Sequence, residues 1–316
     1  MKKFVKKLAV FATATTLSAS VLADWQPSGP IKMMIGFAAG GGADTQARLI
    51  AEDIEALKGW KIIPEQVTGG GGTKLAAELM NEPADGLSFG MVVSETLAYN
   101  NLANPGATFD HTDFTPIATT ASFQMGVVAK TDRGYSDFSD VIKAAKAGES
   151  IRFGAMSAKL ADLAYMLGAA NDVEFNIVEV KGGQAVSNGL NAGDLDVGFV
   201  AGNQAKAVRA GDMTNLASAI SEPLVMQPEA PLLKNYGLDF TADGYFMFIA
   251  PKGLSSEART ALSAAIEQVA TDPNSKSGKF ITRAFGKPVV ITGTKLEELI
   301  ERDRGRSALL LKAASE

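Results

Sequence analysis

The sequence predicts an α/β protein of two lobes, with mainly parallel sheets around a cleft that holds a ligand. Three observations lead to this prediction. Apolar segments of strand length alternate with amphipathic segments of helix length, glycine-rich loops follow several of the strands, and such loops occur in both halves of the chain. Because ligands of parallel sheets bind at the carboxyl ends of the strands, two sets of loops indicate two lobes that face one cleft.

The N-terminus has the pattern of a secretory signal peptide. Four lysines between Lys2 and Lys7 precede an apolar, small-residue run that ends at Ala23. That run is too short and too rich in Thr and Ser to span a membrane, which takes about 20 strongly apolar residues. We therefore expect cleavage of residues 1–23 and a soluble mature protein in the periplasm. The alternative is an uncleaved segment that tethers the chain.

The composition excludes several partners and several kinds of chemistry. Removal of the four N-terminal lysines lowers the 30 basic residues to 26 against 35 acidic ones, a formal net charge of −9. Such a charge repels nucleic acid and anionic membrane, so we expect neither as a partner. With no cysteine and a single histidine, the chain offers no disulfide, cysteine nucleophile or multi-histidine metal site, and we expect no metal or cofactor. That histidine, His111, lies in a polar stretch that favours an exposed loop over a ligand contact.

The first lobe opens with a strand, a glycine loop and a helix. Residues 31–37 predict a buried strand, residues 38–43 a flexible loop, and Asp44 the N-cap of a helix with an apolar stripe from Ala47 to Leu57. Backbone N–H groups of such a loop, with the partial positive charge of the helix N-terminus, form an anion site that needs no Arg or Lys. Alternatively, its three glycines only permit a tight turn. They complete neither a dinucleotide-binding motif nor a P-loop.

A second glycine run, at 69–72, precedes another helical stripe. We interpret it either as a structural turn or as a wall of the pocket. The next predicted strand, 88–93, leads into Ser94-Glu95-Thr96, where the two hydroxyl side chains are candidate ligand contacts.

The second half repeats the pattern. A short strand at 151–153 leads to a loop at 154–158 and to a helix with an apolar stripe. A strand at 175–180 leads to a loop at Lys181-Gly182-Gly183 and to a further helix.

The lobes are expected to be discontinuous in sequence. A late strand precedes the C-terminal helices, and no low-complexity linker divides the chain. We predict lobe 1 at 24–124 and 243–316 and lobe 2 at 125–242, connected by a hinge near Met125 and Asp243.

One motif is long and specific. The segment Ile-Gly-Phe-Ala-Ala-Gly-Gly-Gly-Ala-Asp at 35–44, followed by Arg48, resembles the first-loop motif of the tripartite tricarboxylate transporter receptors, often called the Bug family. The resemblance covers nearly the whole mature chain through shorter motifs, which are Pro83-Ala84-Asp85-Gly86, Asp113-Phe114-Thr115-Pro116-Ile117, Lys181-Gly182-Gly183, Gly193-Asp194-Leu195-Asp196 and Phe248-Ile249-Ala250-Pro251 with Gly253.

The resemblance implies a type II periplasmic-binding-protein-like fold and a receptor without catalytic activity. It implies that the loops at 37–44 and 154–158 hold a small carboxylate between them through backbone N–H groups, hydroxyls and ordered waters. It also implies delivery of the solute to the integral-membrane permease of a tripartite transporter. We expect the receptor to be a monomer.

The sequence departs from the family pattern at the 154–159 loop and at Glu179-Val180, which leaves the particular carboxylate open. Lys159 and Lys181 are each expected to be solvated rather than bound to ligand. The predicted ligand contacts are Phe37, Ala38, Ala39, Gly40, Gly41, Gly42, Asp44, Ser94 and Thr96 in lobe 1 and Ala155, Met156, Ser157, Gly182 and Asn203 in lobe 2, with Lys181 kept as a candidate contact in case it is not solvated.

Two alternatives use the same scaffold. One is a hydrolase with Ser94 or Ser157 as nucleophile, although His111 is the sole candidate base and no Gly-x-Ser-x-Gly elbow is present. The other is a sensor subunit that presents a bound carboxylate to a signalling protein.

Overall fold

The computed structural model describes residues 25–316. The predicted signal peptide at 1–23 lies outside the described residues. Within 25–316, no helix combines the length and the apolar character that crossing a membrane requires. The strands are β1 (Ile31–Ile35), β2 (Ile62–Gln66), β3 (Ser88–Val93), β4 (Phe114–Ser122), β5 (Met125–Lys130), β6 (Arg152–Ala155), β7 (Asn176–Glu179), β8 (Val197–Ala201), β9 (Met213–Ser218) and β10 (Tyr245–Pro251). The α-helices are α1 (Gly42–Lys58), α2 (Thr73–Leu79), α3 (Ser94–Leu97), α4 (Tyr99–Leu102), α5 (Phe138–Lys146), α6 (Ala158–Ala169), α7 (Gly183–Ala192), α8 (Ala205–Ala210), α9 (Ser256–Thr271), α10 (Lys276–Phe285) and α11 (Gly293–Ser315).

The strands form two five-stranded sheets, which confirms the predicted two-lobed α/β fold. Their orders are β2-β1-β3-β10-β4 and β7-β6-β8-β5-β9. In each sheet the fourth strand, β10 or β5, pairs antiparallel with both neighbours, and the other four strands share one direction. The sheets are therefore mixed in pairing, although most of their strands point towards the cleft.

The antiparallel strands follow from the way the chain passes between the sheets. Residues 123–124 lead from β4 to β5, and residues 219–244 lead from β9 to β10. Each entering strand starts beside the end of a parallel strand, as Phe246 pairs with Val93 and Met125 with Ala201. Because each strand enters its lobe at the cleft, it runs away from the cleft.

The first β-loop-α unit buries the face that its sequence predicts. Helix α1 buries Ala47, Ile50, Ala51 and Ile54, whereas Leu57 is 46% exposed. The helix ends at Gly59, whose φ of 72° provides a left-handed C-cap. Leu57 lies in the last turn of α1, beyond the residues of the apolar stripe that pack on the sheet.

Several predicted boundaries are wrong. Strand β1 ends at Ile35 and not at residue 37. Helix α1 begins at Gly42 with Gly41 as N-cap, so Asp44 is its third residue and not its cap. The loop predicted at 154–158 is shorter, because Gly154 and Ala155 belong to β6. Gly154 is required for packing rather than for flexibility, since an added Cβ would lie 2.6 Å from a methyl of Leu195.

A row of aromatic rings lies under the cleft. Phe246 of β10 packs against Phe123, with ring centroids 5.0 Å apart, and against Phe285 of α10, at 4.8 Å. An added Cβ at Gly202, in lobe 2, would overlap the Phe285 ring. This glycine therefore lets the second lobe approach an aromatic wall of the first.

Candidate ligand-binding cleft

Two neighbouring cavities that share part of their lining lie between the lobes. The inner cavity has a volume of about 40 Å³ and the outer cavity about 320 Å³, and both are lined by Phe37, Asn100, Met156 and Ser157. The other residues of the inner cavity are Ala38, Gly41, Gly42, Ala43, Val93, Glu95, Phe123, Met125, Leu160, Gly183, Ala201, Asn203 and Phe246. An acid of a few carbons could thus place its head in the inner cavity and its chain in the outer one.

Three helix N-termini meet at the inner cavity. Gly41 and Gly42 begin α1, Ser157 is the N-cap of α6, and Gly183 begins α7. The first N–H groups of a helix have no intrahelical acceptor and carry the positive end of the helix dipole. Among the described residues that line this cavity, none is Lys, Arg or His. The groups of this lining that could attract an anion are therefore backbone N–H groups.

Glycines allow the loops of the two lobes to approach each other. An added Cβ at Gly42 would lie 3.1 Å from the Ala201 carbonyl oxygen, and one at Gly182 would lie 3.3 Å from the Ala38 nitrogen. Gly182 has a φ of 104°, a conformation that side-chain-bearing residues rarely adopt. The cleft is accordingly in a closed arrangement.

Asp44 supports the first loop from behind. Its carboxylate accepts hydrogen bonds from Gly40 N–H at 2.9 Å, Arg48 Nε at 2.8 Å and Gln66 Nε2 at 3.0 Å. Gln66 Nε2 also donates to the Phe37 carbonyl at 2.7 Å. Asp44 thus fixes the loop and occupies the Gly40 N–H. The Gly41 N–H donates to the Ala38 carbonyl at 3.3 Å, so the N–H groups left for a ligand at the start of α1 begin with Gly42.

The glycine run at 69–72 acts as both a turn and a wall. All four residues have positive φ, and the first three line the outer cavity. Thr96 Oγ1 donates to the Gly71 carbonyl at 2.7 Å, and an added Cβ at Gly72 would lie 2.6 Å from that hydroxyl oxygen. Thr96 therefore holds this loop in place.

A buried ion pair links the lobes beside the inner cavity. Glu95 Oε1 lies 3.1 Å from Lys159 Nζ, the residues are 5% and 8% exposed, and Lys159 Nζ also donates to the Asp243 carbonyl at 3.1 Å. Burial raises the pKa of Glu95, and the Lys159 charge opposes that rise. Burial likewise raises the pKa of nearby Asp303. The prediction that Lys159 is solvated is wrong, whereas Lys181 is exposed as expected.

A third cavity, of about 640 Å³, lies on the hinge side of this ion pair. Ser94, Lys159, Asp243 and Asp303 line it. The Ser94 hydroxyl accepts a hydrogen bond from the Tyr245 N–H at 3.2 Å. Ser94 therefore faces away from the inner cavity, on the other side of Glu95.

The structure divides the predicted contacts into three sets. The inner cavity is lined by Phe37, Ala38, Gly41, Gly42, Met156, Ser157 and Asn203. The outer cavity adds Lys181 and Gly182. Neither of these two cavities is lined by Ala39, Gly40, Asp44, Ser94, Thr96 or Ala155. The sequence analysis missed two residues of the inner cavity. Glu95 lies between Ser94 and Thr96, which were predicted as contacts, and Asn100 belongs to no recognisable motif.

His111 lies outside the cleft. Its Nδ1 is 2.7 Å from Asp110 Oδ1 and its Nε2 is 2.5 Å from Glu301 Oε1 on α11. With a side chain only 15% exposed, it is more buried than the predicted loop residue. It lines none of the three cavities, so it gives Ser94 or Ser157 no base.

Two α/β lobes that close over a shared cleft define the architecture of a periplasmic solute-binding protein. Residues 46–315 match the model of the tripartite tricarboxylate transporter family receptor. The chain therefore belongs to this family, as its motifs predicted. Its members are substrate-binding receptors of transporters and are non-enzymatic.

Individual relatives are distant. A protein of Agrobacterium vitis, encoded in the ttuE–ttuC' intergenic region, is 27% identical over 276 residues, 84% of this chain and 79% of that protein. MatC from Rhodopseudomonas palustris, solved with bound malate, has a TM-score of 0.79 at 21% identity and covers 90% of this chain and 99% of its own. Rpa4515 of the same organism, solved with adipate, has a TM-score of 0.79 at 21% identity and covers 92% and 98%. The structural matches support the fold.

Proposed function

We propose that this chain is a periplasmic receptor for a mono- or dicarboxylate of about four to eight carbons, which it delivers to the integral-membrane permease of a tripartite transporter. The observation that carries the proposal is the convergence of three helix N-termini on one small cavity without a cationic side chain. Such termini bind carboxylates through backbone N–H groups and the helix dipole.

The comparisons support a linear acid as ligand. Malate and adipate, which occupy the two structural relatives, are four- and six-carbon dicarboxylates. The narrow inner cavity and the wider outer cavity suit an acid of this shape, with one carboxylate at the helix N-termini. Lys181, which lines the outer cavity, is exposed to solvent, so the far end of a ligand in this cavity would also be open to water.

Capture requires the lobes to move. We take residues 24–124 and 243–316 as lobe 1 and residues 125–242 as lobe 2. The passages between the sheets at 123–124 and 219–244 support these boundaries, because each leads directly into the entering strand of a lobe. Rotation about these passages would open the cleft and admit the ligand.

The experiment is a ligand screen on purified protein that has been unfolded, stripped of endogenous ligand and refolded. Aliphatic and aromatic mono- and dicarboxylates are tested by thermal shift and then by calorimetry. We expect a dissociation constant on the order of micromolar, about −8 kcal/mol, and a stabilisation of about 2.7 kcal/mol at 100 times that concentration. A refolded protein that no carboxylate stabilises would contradict the proposal. Export is tested separately, by release of a chain that begins near Asp24 on osmotic shock.

A further inference from the structure

Two buried amide oxygens at the inner cavity have no hydrogen-bond partner within the described part of the chain. They are Oδ1 of Asn100 and Oδ1 of Asn203. Asn100 is 3% exposed and lies on α4, whereas Asn203 follows β8. An unsatisfied buried acceptor costs about 1–3 kcal/mol, so two of them beside a ligand cavity need an explanation.

The hydrogen bonds of the two amide nitrogens fix which atom faces the cavity. Asn100 Nδ2 donates to the Gly71 carbonyl at 3.3 Å, so the reversed amide would set oxygen against oxygen. Asn203 Nδ2 donates to Ser187 Oγ at 3.4 Å, and the Ser187 hydroxyl donates to the Gly183 carbonyl at 3.0 Å. Because this hydroxyl hydrogen is already used, Ser187 Oγ can only accept from Asn203. Reversal is unfavourable at both residues, so the unpaired atom of each of these cavity-lining amides is its acceptor oxygen.

The position of the Asn203 oxygen is close to the anion-binding groups. An added Cβ at Gly183, the first residue of α7, would lie 3.1 Å from Asn203 Oδ1. Glu95 and Ser157 also bring side-chain oxygens to the same cavity. Because the helix N-termini and these acceptors line one cavity of about 40 Å³, we expect them to contact neighbouring atoms of the same ligand.

We propose that the ligand carries a hydrogen-bond donor, a hydroxyl or an ammonium group, on the carbon next to its bound carboxylate, and that Asn100 and Asn203 select for this donor. The inference rests on the proposed carboxylate receptor and specifies its substrate class. A carboxylate alone would satisfy the helix N-termini and leave both amide oxygens unpaired. A 2-ammonium group carries enough hydrogens to satisfy both amide oxygens, whereas a 2-hydroxyl group carries one hydrogen and satisfies one of them.

The test compares acids that differ in one substituent. At each of three chain lengths, calorimetry measures the unsubstituted diacid, its 2-hydroxy derivative and its 2-amino derivative, which are succinate, malate and aspartate at four carbons and the corresponding triplets at five and six. At the preferred length we expect a substituted acid to bind about 10- to 100-fold more tightly than the unsubstituted one. A tighter hydroxy acid identifies a hydroxyl site, and a tighter amino acid identifies an ammonium site.

Variants then assign the selectivity. Asn100→Ala and Asn203→Ala should each bring the affinity ratio of substituted to unsubstituted acid towards one, mainly through weaker binding of the substituted acid. Asn235→Ala, at an exposed asparagine remote from the cavities, should keep the wild-type ratio. Circular dichroism controls for folding, and either cavity variant suffices if the other fails to fold.

Two results separate this inference from the proposed function. If acids bind but the unsubstituted member is equal or tighter at every length, the donor site is refuted and the carboxylate receptor stands. The same holds if both cavity variants retain the full ratio. If no acid of any of the three kinds binds, and the wider screen also fails, then the receptor proposal falls and the donor site with it.

Discussion

Replacement of Gly41 by valine should abolish tight ligand binding and leave the fold intact. An added Cβ at Gly41 would lie 3.3 Å from the Ala38 carbonyl oxygen and 3.9 Å from the nitrogen of Gln184 in the other lobe. Valine places two methyl groups about 1.5 Å beyond Cβ in staggered positions. A methyl directed across the cleft would come within about 2.4 Å of Gln184, whereas contact requires about 3.5 Å. The lobes would therefore be held about 1 Å farther apart than in the closed structure.

The cost should fall on binding and not on folding. Gly41 has a φ of −73°, which any L-residue adopts, so we expect a change of less than about 1 kcal/mol in the free energy of unfolding. Loss of the closed cleft should weaken binding at least 100-fold, or about 2.7 kcal/mol.

Calorimetry measures binding by Gly41→Val, and chemical denaturation measures its stability. Gly41→Ala should be intermediate in affinity. Gly29→Val, at a position with no atom within 4 Å of an added Cβ, should bind as wild type. Wild-type affinity in Gly41→Val would refute the assignment of the ligand to the space between these loops.

Three further outcomes are expected. Lys181→Ala should change carboxylate affinity less than about threefold by calorimetry, because an exposed lysine contributes little; a 100-fold loss would instead assign the ligand to this cation. Binding should be unchanged in EDTA, since the helix N-termini need no metal, and affinity restored by a divalent ion would contradict this. Because the pKa of Glu95 is raised in the folded state, wild-type stability should fall as pH increases from about 4.5 through the folded-state pKa. Chemical denaturation should therefore show that the stability difference between wild type and Glu95→Gln depends on pH, while the unpaired Lys159 of the variant adds only a constant offset. A stability difference that does not change with pH would argue against a raised pKa.

Local sequence patterns predicted the first β-loop-α unit well. Strand β1 and the buried positions of α1 follow from apolar periodicity alone, and the glycine loop lines the inner cavity as expected. The helix start was missed by three residues because Asp44, a common N-cap residue, instead lies in the first turn and accepts a hydrogen bond from the Gly40 N–H. Local pattern does not distinguish a capping carboxylate from one that supports the loop.

Contacts between the lobes could not be predicted in the same way. Lys159 reads as a solvated residue at the start of an amphipathic helix, and its burial depends on Glu95 and the Asp243 carbonyl, which are 64 and 84 residues away in sequence. Asn100 likewise lies on a four-residue helix without a recognisable motif. Lys159 and Asn100 take up these positions only when the two passages between the sheets bring the lobes together.

The absence of a cationic side chain from the described lining of the inner cavity suits a receptor that must also release its ligand. A buried lysine or arginine would lose several kcal/mol of hydration in the empty closed state. Helix N–H groups at Gly42 and Gly183 carry no net charge, so the empty closed cleft loses less hydration free energy. The dipoles of these helices act only within about one helical turn. The mature chain's expected charge of −9 repels anions outside the cleft, but a Debye length of about 8 Å confines that repulsion to the surface. An acidic protein could thus bind an anion where three helices begin, and opening the lobes would separate the N-terminus of α1 from those of α6 and α7 and lower the affinity.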